Sequence, residues 1–156
     1  MNMRIASAKD APILTSLMHA AFQAAVPPSS ALSETVEDVA TQLAEEREQA
    51  AICWEGRSSG RDGAVFSGKL TRFTFFRLSV DPSRQGRGIG RSIIRWLEAW
   101  AAQNGKAALT CRVRMEMEAN MRLYRSEGFV VTQEEIVQRE GTTGIPTAHM
   151  RKTIGN

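Results

Sequence analysis

Cysteine is scarce in this sequence. Only Cys53 and Cys111 occur in 156 residues, both within apolar stretches and in no CxxC pattern, so neither a disulfide framework nor a thiol redox centre is suggested. Two buried packing thiols in a reducing compartment are expected. Histidine is equally sparse, with only His19 and His149, and no Cys, His and carboxylate cluster has metal-ligand spacing, so no metal is expected. Long apolar runs are missing too. No stretch of about 18 apolar residues could span a bilayer, and the opening Met1-Asn2-Met3-Arg4-Ile5-Ala6 leads into mixed sequence without the apolar core of a signal peptide. A cytoplasmic location and no membrane partner are the expectation. Charge of one sign is in modest surplus: a net +3 and a pI near 9.2 leave room for an anionic ligand but are too small to argue for nucleic acid.

What remains is an ordinary globular composition, 42% hydrophobic and 24% charged. A chain of this length builds one core, and a single domain over 1–156 is expected. After the apolar stretch Met3 to Ala6, Asp10 is placed to cap a helix and Pro12 sits in its first turn. Leu14, Leu17, Met18, Ala21 and Phe22 then form one apolar stripe, predicting a helix from Ala11 to about Ala25. Pro27-Pro28 stops it, and Val36, Val39, Ala40 and Leu43 mark a second helix, so two helices are expected before the sheet. Short β-prone runs follow, Ala51 to Glu55, Gly56 to Gly63, Ala64 to Leu70 and Thr71 to Val80, read as an antiparallel meander. Ile89, Ile93, Leu97 and Trp100 share one side of a third helix that Asn104-Gly105 closes. Leu109, Cys111, Val113 and Met115 alternate with Thr110, Arg112, Arg114 and Glu116, the period of a strand with one buried face. A helix from Glu118 to Ser126 and strands near 129–138 and 147–154 complete the chain.

Between the meander and the third helix lies Gln85-Gly86-Arg87-Gly88-Ile89-Gly90. A helix N-terminus exposes unpaired N–H groups and the positive end of a dipole, and glycines there let an anion approach. The spacing excludes two of the known uses. A P-loop needs Gly, four residues and then Gly-Lys-Ser/Thr, whereas Gly90 is followed by Arg91-Ser92 and has Gln85 five positions before it. A dinucleotide GxGxxG beginning at Gly86 would place its third glycine on Arg91. A plain glycine-rich connection also stays open from the residues alone.

The longer stretch Arg77-Leu78-Ser79-Val80-Asp81-Pro82-Ser83-Arg84-Gln85-Gly86-Arg87-Gly88-Ile89-Gly90-Arg91-Ser92 resembles motif A of the GNAT acetyltransferase superfamily, with signature Gln/Arg-x-x-Gly-x-Gly/Ala. Gln85, Gly88 and Gly90 match it, and the order of elements agrees along nearly the whole chain. The resemblance implies an α/β (α+β) fold with a mixed, mostly antiparallel sheet of six to seven strands flanked by about four helices. It further implies acetyl-CoA as cosubstrate. The pantetheine arm would pair with Leu78, Ser79 and Val80 as an added strand, and the amides of Gly86, Arg87, Gly88, Ile89, Gly90 and Arg91 would hold the pyrophosphate. A backbone N–H at the strand end would polarise the thioester carbonyl. Arg84, Arg87, Arg91 and Arg95 would support with charge.

A second stretch, Glu118-Ala119-Asn120-Met121-Arg122-Leu123-Tyr124-Arg125-Ser126-Glu127-Gly128-Phe129, is similar to the family's asparagine-bearing helix followed by Leu-Tyr and Gly-Phe. Asn120 and Tyr124 are four apart and share a helical face. The resemblance makes Tyr124, the chain's sole tyrosine, the general acid for the departing thiolate, and Asn120 a coenzyme ligand. Many members carry the asparagine seven positions before the tyrosine, where Met117 stands here.

The acceptor is less legible. An amine with a pKa near 10.4 must lose a proton before attack, a deficit of roughly 4 to 5 kcal/mol at neutral pH. The fourth strand offers Arg72, Thr74, Phe76 and Leu78, and the fifth offers Arg112, none of them a base. Glu55, Glu116 and Glu118 are candidates by location, with surface ion pairing the competing role. The resemblance implies direct transfer of an acetyl group to a primary amine of a small molecule or protein, without a covalent enzyme intermediate. A noncatalytic acyl-coenzyme A binding module is the alternative, and a nucleic-acid partner is not expected. The acceptor would be read by the first two helices and by loops near Gly56 to Gly63 and Gly141 to Gly144. Trp96 and Trp100, four apart, are expected to pack the third helix against the sheet or against a second subunit, leaving a homodimer open.

Overall fold

A computed structural model describes residues 1–56, 62–68 and 74–154. Arg72 and parts of the runs expected over 56–63, 64–70 and 71–80 lie outside the described residues. Among the described residues seven antiparallel strands form two sheets. β1 (Asn2–Ile5), β2 (Glu48–Trp54), β3 (Gly63–Gly68) and β4 (Phe75–Val80) make the first, in the order β1-β2-β3-β4. β5 (Ala108–Arg114), β6 (Val130–Val137) and β7 (Ile145–Thr153) make the second, in the order β5-β7-β6. The helices are α1 (Ala11–Phe22), α2 (Val36–Ala44), α3 (Ile89–Gln103) and α4 (Glu118–Ser126).

Strand alternation explains the layering. In β2, Ala50 and Ile52 turn to one face, where they pack with Leu14, Met18 and Val39 of α1 and α2. Ala51 and Cys53 turn to the other and pack with Ile93 and Leu97 of α3. A strand covered on both faces reads as a continuous apolar run rather than as an alternating one. β5, by contrast, buries Leu109, Cys111 and Val113 and leaves Arg112 exposed, as its alternation predicts. Gly63 sits where backbone and helix crowd β3. A Cβ there would stand 2.9 Å from the Ser79 carbonyl oxygen and about 3 Å from Ile89 and Ile93 of α3.

Three expectations need correcting. The sheet begins before the helices, because Asn2–Ile5 pairs along its length with β2. Its sparse burial gives no local strand signal, and only a partner some 50 residues away defines it. α1 ends at Phe22, three residues earlier than expected. Asp10 precedes α1 but its side chain does not cap it. Both carboxylate oxygens accept from Arg4, at 2.8 and 2.9 Å, and one also accepts from the Ser7 amide at 2.8 Å.

The Arg4 hydrogen bonds hold the Asp10 carboxyl down to about 2, against the opposing effect of burial. A depressed folded-state pKa contributes stability above the unfolded value, and that contribution is lost as pH falls through the folded value. The window is therefore about pH 4 to 2. Arg4 is half exposed, so Arg4→Gln should lower stability at pH 7 by roughly 1 to 2 kcal/mol. Thermal midpoints of variant and parent at pH 7, 4 and 3 should converge as the pH drops; parallel curves would remove the assignment.

Candidate active site

The two sheets separate between β4 and β5. Among the described residues their one ladder contact is a parallel bridge at Thr74 and Thr110, where the two hydroxyl oxygens lie 2.7 Å apart. Past Thr74 no described strand pairs with the second edge of β4, which leaves an open main-chain edge. Within β4 the register slips: Ala64 faces Ser79 and Phe66 faces Phe76, so Arg77 and Leu78 together oppose Val65. This is a β-bulge, and Arg77 takes a positive φ of 50° there. The Arg77 guanidinium reaches the Glu34 carboxylate at 3.1 Å and lies over the Phe76 ring.

Beyond Val80, the Asp81 carboxylate accepts from the amide and hydroxyl of Ser83, starting the turn Pro82–Arg84. Gly86 and Gly88 follow with φ of 83° and 76°, and Gly88 is the N-cap of α3. Open space lies where their Cβ atoms would be, so left-handed backbone, rather than crowding by the protein, calls for glycine at both. Gly90 has a different reason. A Cβ there would meet the Leu123 side chain at 2.9 Å, so this glycine lets α4 approach the first turn of α3.

A cleft of about 660 Å³ opens over this turn, walled by Leu78, Val80, Gln85, Gly86, Gly88, Ile89, Gly90, Arg91 and Asn120. These are nine of the residues that the sequence singled out. Of the remaining three, Ser79 is fully buried with its hydroxyl donating to the Arg77 carbonyl. Arg87 turns outward, 3.8 Å from Glu55, and neither side chain is on the wall. Tyr124 lies one chamber further in. An inner cavity of about 180 Å³ between β4 and β5 is lined by Phe75, Arg77, Cys111, Arg114 and Tyr124 among others, and it shares Phe22, Leu78, Met117 and Asn120 with the outer cleft. The two spaces adjoin. Met117 and Asn120 both stand at the junction, with the Asn120 amide 3.9 Å from the Met117 sulfur.

Tyr124 is 5% exposed and packs edge-on against Phe75 and at a tilt against Phe129, with ring centroids 5.7 Å away in each case. Burial, and secondarily Cys111, push its phenol well above the ordinary value near 10. The group holds its proton throughout the neutral range, which suits a donor. It also makes release of that proton harder than for a phenol in water, so donation is favourable only when coupled to a developing negative charge. Burial raises both thiols too, Cys53 to about 11 and Cys111 to about 12. Both stay protonated at neutral pH and are free of disulfides.

The supporting charges are paired. Arg91 and Arg95 converge on Glu127, whose side chain is 8% exposed, at 3.6 and 3.0 Å. Arg84 stands 3.5 Å from Asp62. Asp62, which the sequence did not single out, is buried; its carboxylate accepts from the Glu55 amide at 2.6 Å and its carbonyl accepts from the Asp81 amide at 2.8 Å. It ties the end of β4 to β3, and a lone acid next to the loop's glycine gave no pattern to find. Of the three candidate bases only Glu118 stands on the wall of the outer cleft. Glu55 lies against Arg87, Glu116 is 3.7 Å from Arg114 and Glu118 is 4.0 Å from Arg122; none lines the inner cavity. His19 donates from Nε2 to the Glu34 carbonyl oxygen, 2.8 Å away. Trp96 and Trp100 stack with centroids 5.9 Å apart and pack against the core on the α3 side. Among the described residues no His, Cys, Asp and Glu group could hold a metal, and no helix is long and apolar enough to cross a membrane.

A split between two sheets, a glycine turn at a helix N-terminus and an open strand edge meet in this one region. Residues 37–131 match the family model described as the acetyltransferase (GNAT) domain, and the chain belongs to that family of N-acetyltransferases. Solved structures share the fold. The protein YncA of Salmonella typhimurium, solved with its cofactor acetyl-CoA, is 21% identical with a TM-score of 0.79, covering 100% of this chain and 95% of that one. The ribosomal-protein-alanine N-acetyltransferase of Brucella melitensis is 20% identical, also at 0.79, over 99% and 100%. The ribosomal-protein-S18-alanine N-acetyltransferase of Escherichia coli is 22% identical at 0.75, over 99% and 96%. No curated protein sequence matches the chain.

Proposed function

We propose that the protein transfers an acetyl group from acetyl-CoA directly to a primary amine. The observation that carries this reading is the parting of β4 from β5 beyond Thr74, with one cleft over the glycine turn adjoining a second beside Tyr124. Amides of residues 86–91 and the dipole of α3 grip the pyrophosphate. The free edge of β4 at Leu78–Val80 takes the pantetheine arm as an added strand, and Asn120 orients it at the junction. Main-chain N–H groups at the bulge polarise the thioester carbonyl, and donors fixed in place before reaction stabilise the developing oxyanion most effectively. The amine attacks the carbonyl carbon, the carbon–sulfur bond breaks, and Tyr124 donates its proton to the leaving thiolate. Since no candidate carboxylate lines the inner cavity, the amine gives its proton to water.

Thiol release from acetyl-CoA over a panel of primary amines tests this reading, with calorimetry on the same protein for coenzyme binding. Turnover with at least one amine and measurable binding is the expected result. Tight binding without turnover would make the chain a noncatalytic acyl-coenzyme A module, and absence of both would remove the proposal.

A further inference from the structure

The acceptor end of the site is lined by cations. The inner cavity carries Arg77, Arg112 and Arg114. It meets, at Cys111 and Arg112, a groove of about 650 Å³ along β5 whose wall holds Lys106, His149 and Arg151. Among the described residues neither wall includes an aspartate or a glutamate. Carboxylates do stand behind several of the cations. Glu34 pairs with Arg77, Glu135 pairs with Arg112 and lies 3.1 Å from His149, and Glu116 is 3.7 Å from Arg114. Arg114 is held mainly by neutral partners. Its side chain is 15% exposed, and its two terminal nitrogens donate to the Pro27 and Pro28 carbonyl oxygens, neutral partners that fix the guanidinium without cancelling its charge. Arg139 donates to the same Pro28 oxygen at 2.6 Å, so the loop after α1 is pinned over the cavity by two cations.

Such a lining selects by charge. A polycationic acceptor meets like charge on the walls of the inner cavity and of the groove along β5, and like charges in a partly desolvated site repel more strongly than in water. An amine that carries its own carboxylate meets the reverse: guanidinium forks match a carboxylate in geometry as well as sign. The same positive surroundings disfavour the ammonium form of the bound amine, which favours the neutral nucleophile in a cavity without a wall carboxylate to take its proton. Given the acetyl transfer proposed above, on which this step rests, the geometry points to a small amine bearing a carboxylate, of the amino acid class, as the acceptor. Arg112, 54% exposed and common to both spaces, is the specificity-determining side chain.

The test measures acetylation of a set of free amino acids, each against its carboxamide, alongside spermidine and a lysine-rich peptide. The free acids should exceed their amides in kcat/KM by at least about tenfold, although amidation leaves more of the amine unprotonated, and the two polycations should be poorest. Arg112→Gln should raise KM for the preferred acid about tenfold while kcat and coenzyme affinity stay within about threefold, and Arg112→Lys should recover part of the loss. Amides or polycations that react as well as the acids, or an Arg112→Gln variant with unchanged KM, would overturn the inference while leaving acetyl transfer intact. Turnover of no amine would also overturn it, and calorimetry with acetyl-CoA would then show whether coenzyme recognition falls with it.

Discussion

Gly88→Glu should abolish detectable binding of acetyl-CoA. Gly88 holds φ at 76° as the N-cap of α3, and an L-residue in that region carries a penalty of about 1 to 2 kcal/mol. The larger effect is charge. A carboxylate about 5 Å from a pyrophosphate charge is repelled by roughly 3 kcal/mol at an effective dielectric of 20, and it would take up donors that otherwise face the ligand. Together these amount to at least a hundredfold in affinity. The open space beside Gly88 lets the new side chain be accommodated, so the fold should persist with a modest fall in thermal midpoint. Gly88→Asn separates the two contributions, because asparagine tolerates left-handed backbone and adds no charge; it should weaken binding only several-fold. Calorimetry with acetyl-CoA reads both variants. Parent-like affinity in Gly88→Glu would show that the turn does not hold the diphosphate.

Tyr124→Phe should lower kcat by about a hundredfold, the lower end of what a positioned general acid contributes, and change KM for acetyl-CoA by less than about threefold. The ring keeps its packing on Phe75 and Phe129, so unfolding should be nearly unaffected. The direction of the pKa shift gives an independent check. Since burial raises the phenol above its usual value, the parent's kcat should show no decline with a midpoint near pH 10, whereas a solvent-like tyrosine acid would show one. If kcat is unchanged in Tyr124→Phe, the thiolate takes its proton from elsewhere, and the side chain is a packing residue of the aromatic cluster.

Local chemistry made much of this site legible. The glycine turn, α4 with Asn120 and Tyr124, and the alternation in β5 each depend on residues a few positions apart, and their spacing survives in one dimension. Other features were hidden for an equally physical reason. β1 exists only through its pairing with β2; Asp62 looks like any loop acid until its backbone and carboxylate meet Asp81 and Glu55; and Gly90, which reads as room for an anion, is glycine because Leu123 lies against it. The acceptor side was least legible. Arg77, Arg112 and Arg114 come from two strands in different sheets, and nothing in their order shows that they face one cavity.

The sequence by itself determined the four helices, the order of the elements after β1 and the glycine turn before α3, because helix and strand periodicity and left-handed glycines are properties of neighbouring residues. Only the tertiary structure decided that, among the described residues, β4 and β5 part beyond a single bridge, that Tyr124 is buried beside the resulting gap, and that Arg77, Arg112 and Arg114 line one cavity there. Those are consequences of non-local pairing and of which faces the two sheets turn toward each other, and they arise when distant segments exclude water together.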